Sequence, residues 1–199
     1  FQSTHRQDEF RNHLLRVQNA AMLRSGIRFL LGFSDIETVG QELANIADFV
    51  LERTMAPCHA LMKERYPEFT EAYADEIGII GLGKLGGREF NIASDCDVMF
   101  IYDQDRKTDK IYASEYFTRW ATKYIDYAQR KSQMGFLYEV DARLRPHGAG
   151  SMMATSVASW NDYFTNNAQL WEKMALSRAR FICGNPKIAD ALEQLKTDV

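Results

Sequence analysis

The spacing of apolar positions changes repeatedly along this chain, and each change marks an element. Residues 6–31 place Leu14, Val17, Leu23, Ile27 and Leu30 at helical spacing among arginines, which predicts a helix with that stripe turned to a core. Ser34-Asp35-Ile36-Glu37 fits a capping box. Ile36, Val39, Leu43, Ile46 and Val50 then recur every three or four residues, predicting a second helix to about Arg65 with a kink at Pro57. Pro67 to Glu76 reads as an acidic connection. Ile77 to Leu82 is a short apolar run bounded by glycines, the pattern of a buried strand, and Val98 to Tyr102 is a second one that continues back through Asp95 and Asp97. Residues 111–131 predict a tyrosine-rich helix with Trp120 and Ile125 on its buried side.

The stretch from Gly135 to Pro146 alternates. Leu137, Glu139, Asp141, Arg143 and Arg145 share one face of the predicted strand; Phe136, Tyr138, Val140, Ala142 and Leu144 share the other. One face packs, and the other lines up two acids and two arginines, which is costly unless they meet ligands or partners. After Gly148–Gly150, Ser151 to Ala154 predicts an edge strand, followed by helices over 156–166 and 169–182. Tyr163, Trp171 and Met174 read as ordinary core. A last helix begins at Asn185-Pro186, a cap followed by proline at the first helical position. The layout is an α+β one: an N-terminal helical segment over 1–75 packing on a strand-rich middle over 76–155, then a truncated helical subdomain over 156–199.

Composition narrows the function. With 24 basic and 27 acidic side chains the net charge is −3, which argues against nonspecific nucleic-acid binding, since that requires a basic face. No apolar run is long enough to span a bilayer, and no signal-peptide pattern opens the chain. Three cysteines, odd in number and far apart, read as reduced thiols of a cytoplasmic protein; the four histidines are scattered, which removes zinc-hydrolase readings. A start at Phe1 rather than Met and an abrupt end after a helix suggest a fragment of something longer.

The chemistry concentrates in residues 81–97, Gly-Leu-Gly-Lys-Leu-Gly-Gly-Arg-Glu-Phe-Asn-Ile-Ala-Ser-Asp-Cys-Asp. On a strand Asp95 and Asp97 point the same way, roughly 7 Å apart along the chain. Paired carboxylates repel unless a cation joins them, and Mg2+ takes one or two carboxylates together with substrate phosphates. Glycines ahead of them leave amides free to approach phosphate oxygens. Asp141 on a neighbouring strand would complete a cage for two ions, while its bland alternative is a salt bridge to Arg143 or Arg145. Lys84 and Arg88 would offset triphosphate charge, and Cys96 should point away into the sheet. Gly81, Gly83 and Gly86 also match a dinucleotide fingerprint, with Asp103 placed 20 residues after Gly83. The eight residues Gly87–Ser94 are too few for the crossover helix which that fold requires, so the Rossmann reading is set aside.

The runs GLGKLGGREFNIASDCDVMFIYD and GFLYEVDARLRP, with GAGSMMATS, WNDYF and LWEKMALSRAR after them, resemble the nucleotidyltransferase domain of the glutamine synthetase adenylyltransferase family, in the DNA polymerase beta superfamily. The resemblance covers about 81–180 and implies a nucleotidyltransferase (DNA polymerase beta-like) palm with a mixed sheet, flanked by N- and C-terminal helices. It implies transfer of AMP from ATP to a tyrosine of glutamine synthetase, with Asp95, Asp97 and Asp141 holding two Mg2+ ions and Asp141 as the proton acceptor. Gly86, Gly87 and Ser94 would contact phosphates, helped by Lys84, Arg88, Arg143 and Arg145. Glu139 and Ala142 make the chain more similar to the adenylylating half than to the removing half, where those positions are basic and larger. Phe90 and Ile92-Ala93 depart from the family pattern. A PII-type regulatory partner is implied for the whole enzyme. The rival readings are phosphorolytic removal of AMP and a non-catalytic nucleotide-sensing module.

Overall fold

The computed structural model describes residues 2–199. Two long antiparallel-packed helices, α1 (Gln2–Leu30) and α2 (Ile36–Arg65), lead through a short α3 (Pro67–Tyr73) and one 3-10 turn into β1 (Ile77–Gly81). A one-turn helix α4 (Gly83–Gly86) and a loop connect β1 to β2 (Cys96–Tyr102). Then come α5 (Ala113–Gln129), β3 (Val140–Asp141), β4 (Ala154–Ser156), α6 (Val157–Asn166), α7 (Leu170–Ser177), β5 (Arg180–Gly184) and α8 (Pro186–Asp198). The strands form one mixed sheet in the order β3-β2-β1-β5, with β4 also on β2.

β1 pairs antiparallel with both β2 and β5. β3 and β4 run parallel to β2, the first beside its start and the second beside its end. The short connection between β1 and β2 suits antiparallel neighbours, whereas the parallel step from β2 to β3 is made through α5, as a crossover requires. The antiparallel β1–β2 pair excludes the Rossmann unit.

Apolar residues cover both faces of the sheet. On one, Ile77, Ile79, Val98, Phe100 and Tyr102 pack with α2 and with the aromatic side of α5 (Tyr116, Phe117, Trp120, Tyr124). On the other, Ile80, Met99 and Ile101 meet Trp160 and Phe164 of α6 and Ile188, Leu192 and Leu195 of α8. Helical caps agree with the sequence: Asp35 accepts from the Thr38 amide at 2.7 Å, and Asn185 accepts from the Lys187 amide at 3.0 Å. Asp35, rather than Ser34, is the cap residue. Pro57 sits inside α2, which continues through it to Arg65.

Several expectations are corrected. The α1 stripe is different: Leu23, Ile27 and Leu30 are exposed, and the buried face comprises Leu14 and Leu15 together with Arg11, Gln18 and Ser25. Each of those polar side chains finds a partner beyond α1, Arg11 donating to the Arg130 carbonyl, Gln18 Nε2 to the Leu137 carbonyl and Ser25 Oγ to Glu42, so apolar spacing alone picks out the wrong side. The acidic connection after Pro67 is largely helical. The strand expected over 135–146 shrinks to two residues, because only Val140 and Asp141 pair with β2; Phe136 is exposed and Leu137 buried, against the alternation. The expected edge strand at Ser151–Ala154 lies at Ala154–Ser156. The helix expected over 169–182 ends at Ser177, and β5 follows as the far edge of the sheet. Trp171 and Met174 are exposed rather than core; Tyr163 is buried.

Candidate active site

Three carboxylates converge at the start of β2. Asp95 immediately precedes the strand, and Asp97 lies within it on the face that carries Met99 and Ile101. Parallel register pairs Asp97 with Asp141, so both point to the same face from adjacent strands. One ligand oxygen from each of Asp95, Asp97 and Asp141 lies within 4.8 Å of the others. Asp95 is exposed; the other two are half-buried. Their electrostatics differ. Burial, then the charges of Asp95 and Asp141, raise the Asp97 carboxyl above its ordinary value. Asp141 is lowered, first by hydrogen bonds from the Arg143 side chain. Cys96, between the two acids, points into the opposite core, where burial pushes its thiol far up.

The turn ahead of the acids is built by packing. Leu82 donates its amide to the Asp97 carbonyl at 2.9 Å, which ties the turn to β2. Gly83 has φ of +51°, and a Cβ there would come within 2.7 Å of Asp97 Oδ2. Only a residue without a side chain meets both demands. Gly86 lies against the Arg178 carbonyl and Gly87 against the Arg178 guanidinium. The amides of Gly86 and Gly87 donate to Leu82 and Gly83 carbonyls, so these glycines provide close approach of chain to chain. Arg180 completes the support: it donates to the carbonyls of Leu85 and Gly86 and pairs with Asp48 of α2 at 2.7 Å. Arg178 also pairs with Glu89. Neither arginine was singled out from the sequence, although both end the block LWEKMALSRAR; nothing local says that a basic pair there reaches a turn some 90 positions earlier.

The other candidates fall into two groups. Lys84 is exposed on the turn, and its charge acts on Asp97; Ser94 is half-exposed beside Asp95. Arg88 instead donates to Asn45 of α2 at 2.7 Å. Arg143 bonds Asp141 through its backbone amide and its guanidinium. Arg145 donates to the carbonyls of Ala142, Ala149 and Ser151, bracing the loop from β3 to β4. Phe90 is buried edge-on to Tyr138 at 5.8 Å, and Ile92 is exposed, so neither departure from the family pattern touches the acids.

Two clefts flank the triad and share Asp95 and Glu139. One, of about 440 Å³, is lined by Gln18, Ser94, Phe136 and Tyr138; the other, of about 430 Å³, by Gln129, Asp141, Arg143 and Met153. The donor set is three hard carboxylate oxygens at chelating separation, two of them half-withdrawn from water. That fits Mg2+ or Mn2+ and suits neither zinc nor copper, which favour nitrogen and sulfur.

Comparison with known proteins agrees with this chemistry. The family described as Glutamate-ammonia ligase adenylyltransferase matches residues 1–195. The chain belongs to that family. It is 34% identical over 186 residues to the bifunctional glutamine synthetase adenylyltransferase/adenylyl-removing enzyme of Neisseria meningitidis serogroup A, covering 94% of this chain and 20% of that protein. The enzyme of the same name from Chromobacterium violaceum is 33% identical over 180 residues, 90% of this chain and 19% of its own length. The chain thus spans about a fifth of the length of these curated relatives. The match extends through α1 and α2, well outside the acid triad, so family membership rests on the whole helical and sheet framework. No helix among the described residues is long and apolar enough to cross a membrane.

Proposed function

We propose that this chain is a nucleotidyltransferase palm that transfers AMP from ATP to a tyrosine of glutamine synthetase. The observation that carries this reading is the pairing of Asp97 with Asp141 beside Asp95, which gathers three carboxylates at chelating separation. Held by these acids, two Mg2+ ions would neutralise charge on the attacking and leaving oxygens. The rest falls to the chain itself. Lys84 meets the triphosphate from the α4 turn, with Ser94 and the freed Arg143 around it. Gly83, Gly86 and Gly87 shape that turn, and Arg178 and Arg180 hold it. A tyrosine hydroxyl, with a pKa of about 10, needs a proton acceptor. Asp141, on the strand beside Asp97, is the chain's candidate for that role.

Glu139 and Ala142 favour the adenylylating direction: Glu139 is exposed on both clefts, where a basic residue would reverse the local charge, and Ala142 is buried. For the longer enzyme we place a PII-type protein as regulatory partner. Three buried, unpaired thiols suit a cytoplasmic setting. The test is incubation of the chain with glutamine synthetase and alpha-labelled ATP, with and without Mg2+. Labelled glutamine synthetase and pyrophosphate, only with Mg2+, are expected. ADP from adenylylated glutamine synthetase and phosphate, without forward labelling, would assign the removing half. Neither product would leave a nucleotide-sensing module.

A further inference from the structure

Arg143 already sits where a cation belongs. Its Nε donates to both Asp141 oxygens, at 3.0 and 2.7 Å, and its Nη2 donates to Oδ2. Its backbone amide donates to Oδ1 at 2.8 Å. The acid is fixed and the base is not: the Asp141 side chain is 14% exposed, that of Arg143 78%. Among the described residues the guanidinium donates to no other acceptor. Asp141 has two oxygens, and both are engaged by this fork. A divalent cation bridging to Asp95 and Asp97 needs one of them, and in a half-buried site its charge competes with the guanidinium for that oxygen.

We propose that Arg143 is an exchangeable stand-in for the metal, a positioning residue that couples cation binding to nucleotide binding. In the metal-free protein it keeps Asp141 aimed at the triad and offsets the repulsion among the three acids. Entry of a divalent cation displaces the guanidinium, while the backbone amide keeps Oδ1 oriented. The released side chain then needs a new anion, and the triphosphate on the same face supplies it. A cation entering alone must break the Asp141–Arg143 pair without replacement; a cation entering with nucleotide exchanges one pair for another. Each ligand therefore tightens the other, by the same factor in both directions. Arginine suits the task because its planar fork matches carboxylate and phosphate equally, as lysine does not.

The inference rests on reading the triad as a metal site, and the experiment separates the two. Mn2+ binding to the chain is measured by electron paramagnetic resonance of the free ion, with and without a non-hydrolysable ATP analogue, on wild type, Arg143→Ala, Arg143→Lys and Asp97→Asn. Arg143→Ala is expected to bind Mn2+ alone about tenfold more tightly, and to lose a similar factor from the gain that the analogue brings. Arg143→Lys should fall between it and wild type. Unchanged or weaker Mn2+ binding by Arg143→Ala, or an unaltered gain from the analogue, would overturn the exchange. Asp97→Asn should lose Mn2+ under both conditions. If it binds as wild type does, the metal triad itself fails; if it loses the ion while Arg143→Ala behaves as wild type, only the role of Arg143 fails.

Discussion

The two sides of the acid triad are built on opposite plans. Asp97 stands on a seven-residue strand paired on both edges, under a turn locked by Arg178 and Arg180. Asp141 ends a strand of two residues and is held by a neighbour two positions on. The first side is rigid and electrostatically unfavourable: its carboxyl is raised by burial and by the other acids. The second is loosely anchored and favourable, its carboxyl lowered by Arg143. Under the proposed function this division is useful, because the fixed half sets the geometry and the adjustable half opens and closes the charge balance.

The comparison is sharpened first by activity. Asp97→Asn should reduce AMP transfer at least about a thousandfold, roughly 4 kcal/mol of transition-state stabilisation, with an unchanged circular dichroism spectrum. Wild-type turnover in that variant would remove the rigid half from the chemistry. Arg180→Ala tests the turn's support. It strands Asp48 and frees the Leu85 and Gly86 carbonyls, and should cost roughly 2–3 kcal/mol, less than a fully buried pair because both side chains keep some contact with water. A melting point lower by about 4–10 °C would show it. Gly83→Ala should be milder in stability, about 1 kcal/mol for the positive φ, yet should reduce turnover about tenfold or more by pushing Asp97 aside. Equal turnover would mean that the turn gives way.

The smallest effect is also the most diagnostic. A carboxyl whose folded pKa is raised favours the folded state when protonated and opposes it when ionised, so its contribution is lost as pH rises through the folded value. Without metal at neutral pH, Asp97→Asn should therefore raise the melting point, by at most about 1 kcal/mol or 2–4 °C because Asp97 is only partly buried and solvent screens its charge. The gain should shrink as the solution is acidified from the raised folded value toward the ordinary carboxylate value, and be gone below it. Asp141→Asn should show the reverse sign, since it removes a charge that Arg143 stabilises. Melting curves of both variants in chelator, at neutral and acid pH, would settle whether the two halves differ in this way.

Much of this was legible in the residues. The apolar runs Ile77–Gly81 and Val98–Tyr102, the body of the second helix, and the aromatic face of α5 all follow from spacing, because each is satisfied by burial of its own side chains. The acids were legible for a different reason: carboxylates next to an apolar strand are unfavourable without a ligand. What stayed hidden depends on partners far along the chain. The inward face of α1 is partly polar, and its merit shows only against the Leu137 carbonyl and Glu42. β5 opens with Arg180, whose place is decided by Asp48 and by carbonyls of the turn, and its remaining Phe181-Ile182-Cys183 is too short to separate strand from helix. The glycines at 86 and 87 looked like a phosphate cradle, yet their amides are bonded inside the turn and their missing side chains make room for Arg178.

The bond between Arg180 and Asp48 reaches from the sheet edge into the second helix, and it has a practical meaning for anyone trimming this protein. A fragment starting at Ile77 would keep all three acids and the whole sheet, but would leave a half-buried guanidinium without its counter-ion next to the turn ahead of the acids. The shortest fragment that keeps the turn in place should therefore begin upstream of Asp48, with the helical hairpin retained.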